Sequence, residues 1–165
     1  MPAGTPADYS TAFSAAVYCR RVMQEAKVVT CFLLRRSASG DEVLLLRRSQ
    51  QVGTYRGRWA GVSGYLEEAD PLAQAYREME EEAGLAPDEA SLLRTGEPLV
   101  VLDAEAGRRW IVHPFLFAVR PDAQVRVDWE HTETRWVRPE EISAFETVPQ
   151  LAEVLMRVYP PQRQP

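Results

Sequence analysis

Four residues near the middle of the chain, Arg77, Glu78, Glu81 and Glu82, have the types and spacing that metal chemistry needs. On a helix, residues three and four apart are neighbours, so the carboxylates of Glu78, Glu81 and Glu82 share one face while Glu80 points elsewhere. The run ends at Gly84, a residue type favoured just past a helix end. The acids therefore stand in the last turns, where the macrodipole disfavours negative charge and like charges four apart repel. Arg77 offsets part of this, but one guanidinium does not balance four glutamates. A hard divalent cation does, and carboxylate ligands that offer only oxygen select Mg2+ or Mn2+ over softer metals. Taken alone, a glutamate run is also what a solvated helix face looks like, so the surrounding elements have to decide.

The helix itself has clear limits. Asp70 is a good N-cap, Pro71 suits the first helical position, and Gly84 closes the element. Leu72, Ala75, Tyr76, Met79 and Ala83 fall within about 100° of one another and form the expected buried stripe. Upstream, the apolar runs Val28 to Leu34 and Val43 to Leu46 flank the turn-rich residues 37–41, which predicts a hairpin with a longer loop. Downstream, Pro98 to Leu102 and Trp110 to Val119 flank a turn at residues 105–107, and Trp136-Val137 is one more short strand. A second helix is expected from Val148 to Val158, stopped by Pro160-Pro161. Strands on both sides of a long helix, with a closing helix, imply an α/β fold with a mixed β-sheet covered on its faces.

A chain of 165 residues supports one domain with a real core. Residues 1–26 are Ala/Ser-rich and show no strand alternation; they read as an N-terminal extension, with a short helix from Asp8 or Ser10 toward Met23, and a dimer-forming or lid role as the alternative. The domain proper is taken as 27–165. The net charge of −5 argues against a general nucleic-acid binder. Cys19 and Cys31 form neither a CxxC pair nor a zinc set, and no stretch is long and apolar enough for a membrane span or a secretory signal, so cytoplasmic residence is the default.

Arg77-Glu78-Met79-Glu80-Glu81-Glu82-Ala83-Gly84-Leu85 matches at every required position the core motif of the Nudix hydrolases, which this chain resembles from about Lys27 to Val158. Gly64 stands where that family has the glycine opening its box, and Trp59 holds the usual aromatic position before it. Two departures are plain. The stretch from Gly64 to Arg77 is one residue shorter than the usual box, and Ala69 occupies the place of an upstream glutamate, for which Glu67, Glu68 or Asp70 are the candidate stand-ins.

The resemblance implies an α/β/α Nudix sandwich that hydrolyses the phosphoanhydride bond of a nucleoside diphosphate linked to another moiety, with Mg2+ or Mn2+ as cofactor. By the same resemblance Glu78, Glu81 and Glu82 bind metal with the Gly64 carbonyl, Arg77 orients a glutamate, and a glutamate of the distal loop reaches back to the metal. Glu130 is the better placed for that last role, Glu133 the alternative and Asp128 the third candidate. Glu81 and Glu78 are then the catalytic acids, together with Arg77 and Glu130. Arg47, Arg48, Arg56 and Arg58 are candidate phosphate contacts because guanidinium forks match phosphate oxygens. Trp110, Trp129 and His113 are candidates for stacking on a base, against core packing as the plainer role. The rival function is a catalytically silent nucleotide-binding regulatory module. An isomerase of isopentenyl diphosphate, which shares the fold, is disfavoured because Cys31 is read as lying far from the box. A homodimer is the assembly left open.

Overall fold

A computed structural model describes residues 23–160. Cys19 and the short helix expected toward Met23 lie outside the described residues. Eight strands form one mixed sheet: β1 (Gln24–Ser37), β2 (Gly40–Arg48), β3 (Trp59–Ala60), β4 (Val62–Tyr65), β5 (Ala90–Thr95), β6 (Leu99–Asp103), β7 (Arg108–Val119) and β8 (His131–Val137). Two α-helices join them, α1 (Pro71–Ala83) and α2 (Leu151–Met156). Among the described residues, no helix is long and apolar enough to cross a membrane.

β1 and β7 are the spine, paired in parallel from Gln24↔Arg108 to Leu34↔Ala118. Each divides its outer edge between two partners. β2 pairs with the C-terminal part of β1 and β4 with Val28 to Cys31; β5 pairs with the C-terminal part of β7 and β6 with Arg108 to Val112. The divided edges open one end of the sheet, and that end holds the site. Alternation along β1 sends Val29, Cys31 and Leu33 to one face and Phe32 and Leu34 to the other. The first face packs on Ala75, Met79 and Ala83 of α1, the second on Leu151, Val154 and Leu155 of α2. Helix, sheet and helix make the sandwich the sequence implies.

The helix carrying the acids keeps its expected limits. Asp70 Oδ1 accepts the Leu72 N–H at 3.1 Å, Pro71 occupies the first turn, and Gly84, at φ 65°, donates its N–H to the Glu80 carbonyl at 3.1 Å. Other limits move. β1 begins at Gln24, so residues 24–26, expected in the extension, belong to the sheet. The β1–β2 turn is tight, with Ser37 paired to Gly40 and two residues between, where a longer loop was expected. β8 is seven residues long rather than two. Helix α2 covers six residues of the expected eleven, because Gln150 sits at φ 57° and Val148 instead bonds to Trp59. β3, β4 and β5 had no strand reading in the sequence.

Candidate active site

Helix α1 buries more than its apolar stripe. Gln74, Glu78 and Glu82 are buried beside Ala75, Met79 and Ala83, whereas Leu72 and Tyr76 are only half-buried, so the inward face is rotated toward the acids. Glu81 stays outside with Arg77, which donates to it through Nε at 3.0 Å. The three acids expected on one face are therefore divided: Glu78 and Glu82 look inward, and Glu81 stands at the rim.

The backbone of β4 lies against the inward pair. Ser63 N–H donates to Glu82 Oε2 at 3.1 Å. A β-carbon on residue 64 would run into the Glu78 carboxylate, so only glycine allows this approach. Gln74, 1% exposed, braces the shortened loop: its Oε1 accepts the N–H groups of Glu67 and Glu68 at 3.0 and 2.9 Å, and its Nε2 donates to Glu78 Oε1 at 2.8 Å. Sequence reasoning missed Gln74; its position four residues before Glu78 was the available signal. Arg77 reaches Glu68 at 3.2 Å and Glu67 at 3.7 Å, so these two acids take up the place that Ala69 leaves without a carboxylate.

Glu130 arrives from the opposite side. Asp128 closes a turn by accepting the Glu130 N–H on Oδ1 at 3.0 Å, and the Glu130 carbonyl accepts from Ser49 N–H at 2.8 Å. The turn brings the Glu130 carboxyl close enough to Glu82 to oppose its ionisation. Asp128, the third candidate, is spent on the turn. Glu133 lies on β8, paired with Arg47 at 3.6 Å and Arg135 at 3.2 Å, and is not among the cavity-lining residues.

Burial and crowding raise both helix acids. Burial first, then the neighbouring Glu81 and Glu130, push Glu78 up to about 7 against the pull of its Gln74 bond. Burial, then the Glu130 carboxyl beside it, push Glu82 up to about 10. Arg48 is the facing cation, its own ionisation opposed by burial and favoured by Glu82 and Glu130. Among the described residues, no three His, Cys, Asp or Glu side chains already stand as a metal cage, since Glu81 is turned to Arg77. The donor chemistry nevertheless fits a hard cation: oxygen ligands alone, with more buried negative charge than one arginine offsets.

A cavity of about 560 Å³ opens from these acids. Glu78, Glu81, Glu82, Glu130, Arg48 and Arg77 line it, with Trp129 next to Glu130, and the clustered rings of Tyr55, Tyr65 and Trp110 complete the lining. Of the four candidate arginines, Arg48 alone borders it. Arg47 donates to the Gly57 carbonyl, Arg56 to the Val52 carbonyl and Arg58 to the Thr147 carbonyl, so all three hold the 49–58 loop and its surroundings. His113 borders a smaller hollow beside Asp70 and Phe115. Cys31 is not far from the box: its thiol lies under α1, 3.9 Å from the Ala75 carbonyl, and burial together with Glu82 and Glu78 pushes it up.

A mixed sheet between two helices, with a glycine-opened acidic helix at the sheet's open end, defines a Nudix fold. The family model of the NUDIX domain matches residues 25–158, and the chain belongs to that family. Among solved structures it is similar to a C. elegans Ap4A hydrolase in binary complex (20% identity, TM-score 0.67, covering 80% of this chain and 93% of that one). A MutT protein from Methanosarcina mazei Go1 is 27% identical, with TM-score 0.62 over 81% of this chain and 94% of that one. The NUDIX domain of Shewanella oneidensis NrtR, solved with ADP ribose, is 13% identical, with TM-score 0.65 over 90% and 96%. No curated protein matches significantly.

Proposed function

We propose that the protein hydrolyses the phosphoanhydride bond of a nucleoside diphosphate linked to another moiety, using Mg2+ or Mn2+. The observation that carries this reading is the meeting of Glu78, Glu82 and Glu130 around Gly64 in the wall of a cavity that clustered aromatic rings also line. The solved likenesses to an Ap4A hydrolase and to an ADP-ribose-bound domain agree with a substrate of that class.

In this reading Glu78, Glu82 and Glu130 hold the metal, with Glu81 and the Gly64 carbonyl completing the set. The metal, when bound, neutralises phosphate charge and lowers the pKa of an attacking water. The chain's own residues do the rest. Gln74 keeps Glu78 oriented, Ser63 N–H does the same for Glu82, and the Asp128 turn aims Glu130. Arg77 holds the 67–68 loop and Glu81 together, so Glu81 is positioned at the rim to accept a proton. Arg48 faces the same space and offers the phosphates a cation.

Ala69 and the shortened loop are the features that favour a silent module. The Arg77 pairs with Glu67 and Glu68, and the Gln74 brace, argue for an intact box instead. The reading also carries a single domain that begins with β1 at Gln24 behind an extension, cytoplasmic residence, and a homodimer checked by sedimentation velocity. A panel of nucleoside diphosphate conjugates, assayed with Mg2+, Mn2+ or EDTA, tests the function. Metal-dependent release of a nucleoside monophosphate is expected; turnover in excess EDTA, or phosphate from simple monoesters alone, overturns it.

A further inference from the structure

His131, the residue after Glu130, opens β8 with a side chain only 2% exposed. It stands opposite Arg48 in the β2–β8 pairing, where the register shifts between Arg47 and Arg48. The turn before it is tied at three points. Asp128 Oδ1 accepts the Glu130 N–H at 3.0 Å, the Asp128 carbonyl accepts the His131 N–H at 3.2 Å, and the Glu130 carbonyl accepts the Ser49 N–H at 2.8 Å. The imidazole closes on the first of these. His131 Nδ1 lies 3.5 Å from Asp128 Oδ1, the same oxygen that holds the Glu130 N–H, and it makes no hydrogen bond among the described residues.

A buried polar atom without a partner is costly, so the chemistry of this pair decides how the turn is held. With Nδ1 bare, two acceptors confront each other away from water. With the proton on Nδ1, the ring offers Asp128 a donor, and a shift of about half an ångström brings the pair to ordinary hydrogen-bond length. Burial lowers His131 from its ordinary value and Arg48 adds to this, against Asp128 and Glu130, so the ring is neutral and carries a single proton. The Asp128 carboxylate is itself partly open to water, and among the described residues no arginine or lysine pairs with it. His131 is the group that meets it on its buried side.

We infer that His131 is a positioning residue of the site: through Nδ1–H it holds Asp128 Oδ1 over the Glu130 N–H, and so fixes the direction from which Glu130 reaches the acidic helix. The inference rests on the proposed reading in which Glu130 is a metal ligand, and adds the residue that keeps that ligand in place. One oxygen then serves two donors, so losing the imidazole donor loosens the Glu130 bond as well. Filling space is the plainer role for a buried ring. The two roles make opposite demands, because packing is preserved by a ring without a donor and positioning by a donor without a ring.

Two measurements on the full chain in EDTA need no turnover. Nitrogen-15 spectra of the imidazoles are expected to show the Nδ1–H tautomer for His131, told apart from His113 by the signal that His131→Asn removes. His131→Phe keeps a ring and loses the donor, whereas His131→Asn places an amide N–H near the Nδ1 position. Hydrogen exchange at the Glu130 amide is expected to quicken about three- to tenfold in His131→Phe and to stay near wild type in His131→Asn. With Mg2+ and a nucleoside diphosphate conjugate, kcat of His131→Phe is expected to fall about tenfold with KM little changed, and His131→Asn to restore most of it, because a displaced ligand alters the reacting geometry more than binding. The Nε2–H tautomer in wild type overturns the inference. So does equal exchange at Glu130 in wild type and His131→Phe, or a kcat for His131→Phe above that of His131→Asn, the mark of packing. Should either variant fail to fold, the wild-type tautomer still decides. Failure of the hydrolase reading has another signature: the tautomer and exchange results stand while wild type forms no metal-dependent product.

Discussion

In the cavity wall two buried acids, Glu78 and Glu82, are crowded by half-buried Glu130 with little compensating charge from the chain; beside them Trp110, Tyr55 and Asp103 satisfy one another. Burying a charge without a partner is expensive, while a satisfied polar chain rigidifies its surroundings. The acidic part therefore spends stability on a ligand the chain does not supply, and the aromatic part is organised from within. Changes in the two parts should differ in kind: rate and metal dependence in one, affinity in the other.

The largest expected effect is loss of rate in the acidic part. Glu81→Gln and Glu130→Gln should each lower kcat by about a hundredfold or more, as for a lost ligand or base, with a smaller change in KM. Steady-state kinetics with saturating Mg2+ checks this, and a rate equal to wild type for both variants would return the acids to the role of a solvated face. Gly64→Ala comes next, at about tenfold or more in kcat, because its β-carbon displaces the Glu78 carboxylate, the far end of a flexible side chain. Its thermal midpoint should move little, which separates a misplaced acid from a damaged sheet.

A stability measurement sharpens the contrast. Glu78 and Glu82 have folded-state values raised to about 7 and about 10, above the ordinary 4.5, so between these limits the folded state binds more protons than the unfolded one. As far as these groups are concerned, stability of the metal-free protein should be level below pH 4.5 and should fall from there as pH rises, through about 7 for Glu78 and about 10 for Glu82. Denaturant melts in EDTA and in Mg2+ test it; a metal-free stability that rises across pH 5 to 7 would contradict it. In EDTA at neutral pH, Glu82→Gln should melt higher than wild type, the opposite of its effect on rate. Gln74→Ala should destabilise by about 1–3 kcal/mol because the Glu67 and Glu68 N–H groups lose their acceptor. Glu133→Gln, on β8 away from the cavity, marks the small end of the scale, with near-native kinetics.

The helix limits were legible because Asp70, Pro71 and Gly84 act locally, each within a turn of its own residue. The sheet strands β1, β2 and β7 were legible because both of their faces are buried and they read as apolar runs. β4 was not: Val62-Ser63-Gly64-Tyr65 has neither an apolar run nor alternation, and becomes a strand because β1 offers it an edge and α1 a face to cover. Glu130 was preferred to Glu133 on spacing, and the Asp128 turn supplies the physical reason. The arginines could not be sorted from sequence, since the irregular register between Arg47 and Arg48 in the β2–β8 pairing is a tertiary feature. Gln74 was hidden because a polar residue between apolar positions looks like surface until the loop it braces is seen.

The long parallel pairing of β1 with β7 also sets the order in which the molecule can assemble. Gln24 and Arg108 are 84 residues apart, so the central ladder has to wait until most of the chain is available. The β1–β2 hairpin, closed by two residues, forms from local contacts on a microsecond scale of about 1–10 μs. During synthesis that hairpin stands alone with Val29, Cys31, Phe32 and Leu33 uncovered, and both helices that shield it arrive later. Distant partners slow a fold because loop closure precedes the reward of contact. Capture of β7 is therefore the step expected to limit refolding: in stopped-flow refolding, variants that loosen β7 should slow it, whereas variants in the hairpin turn should not.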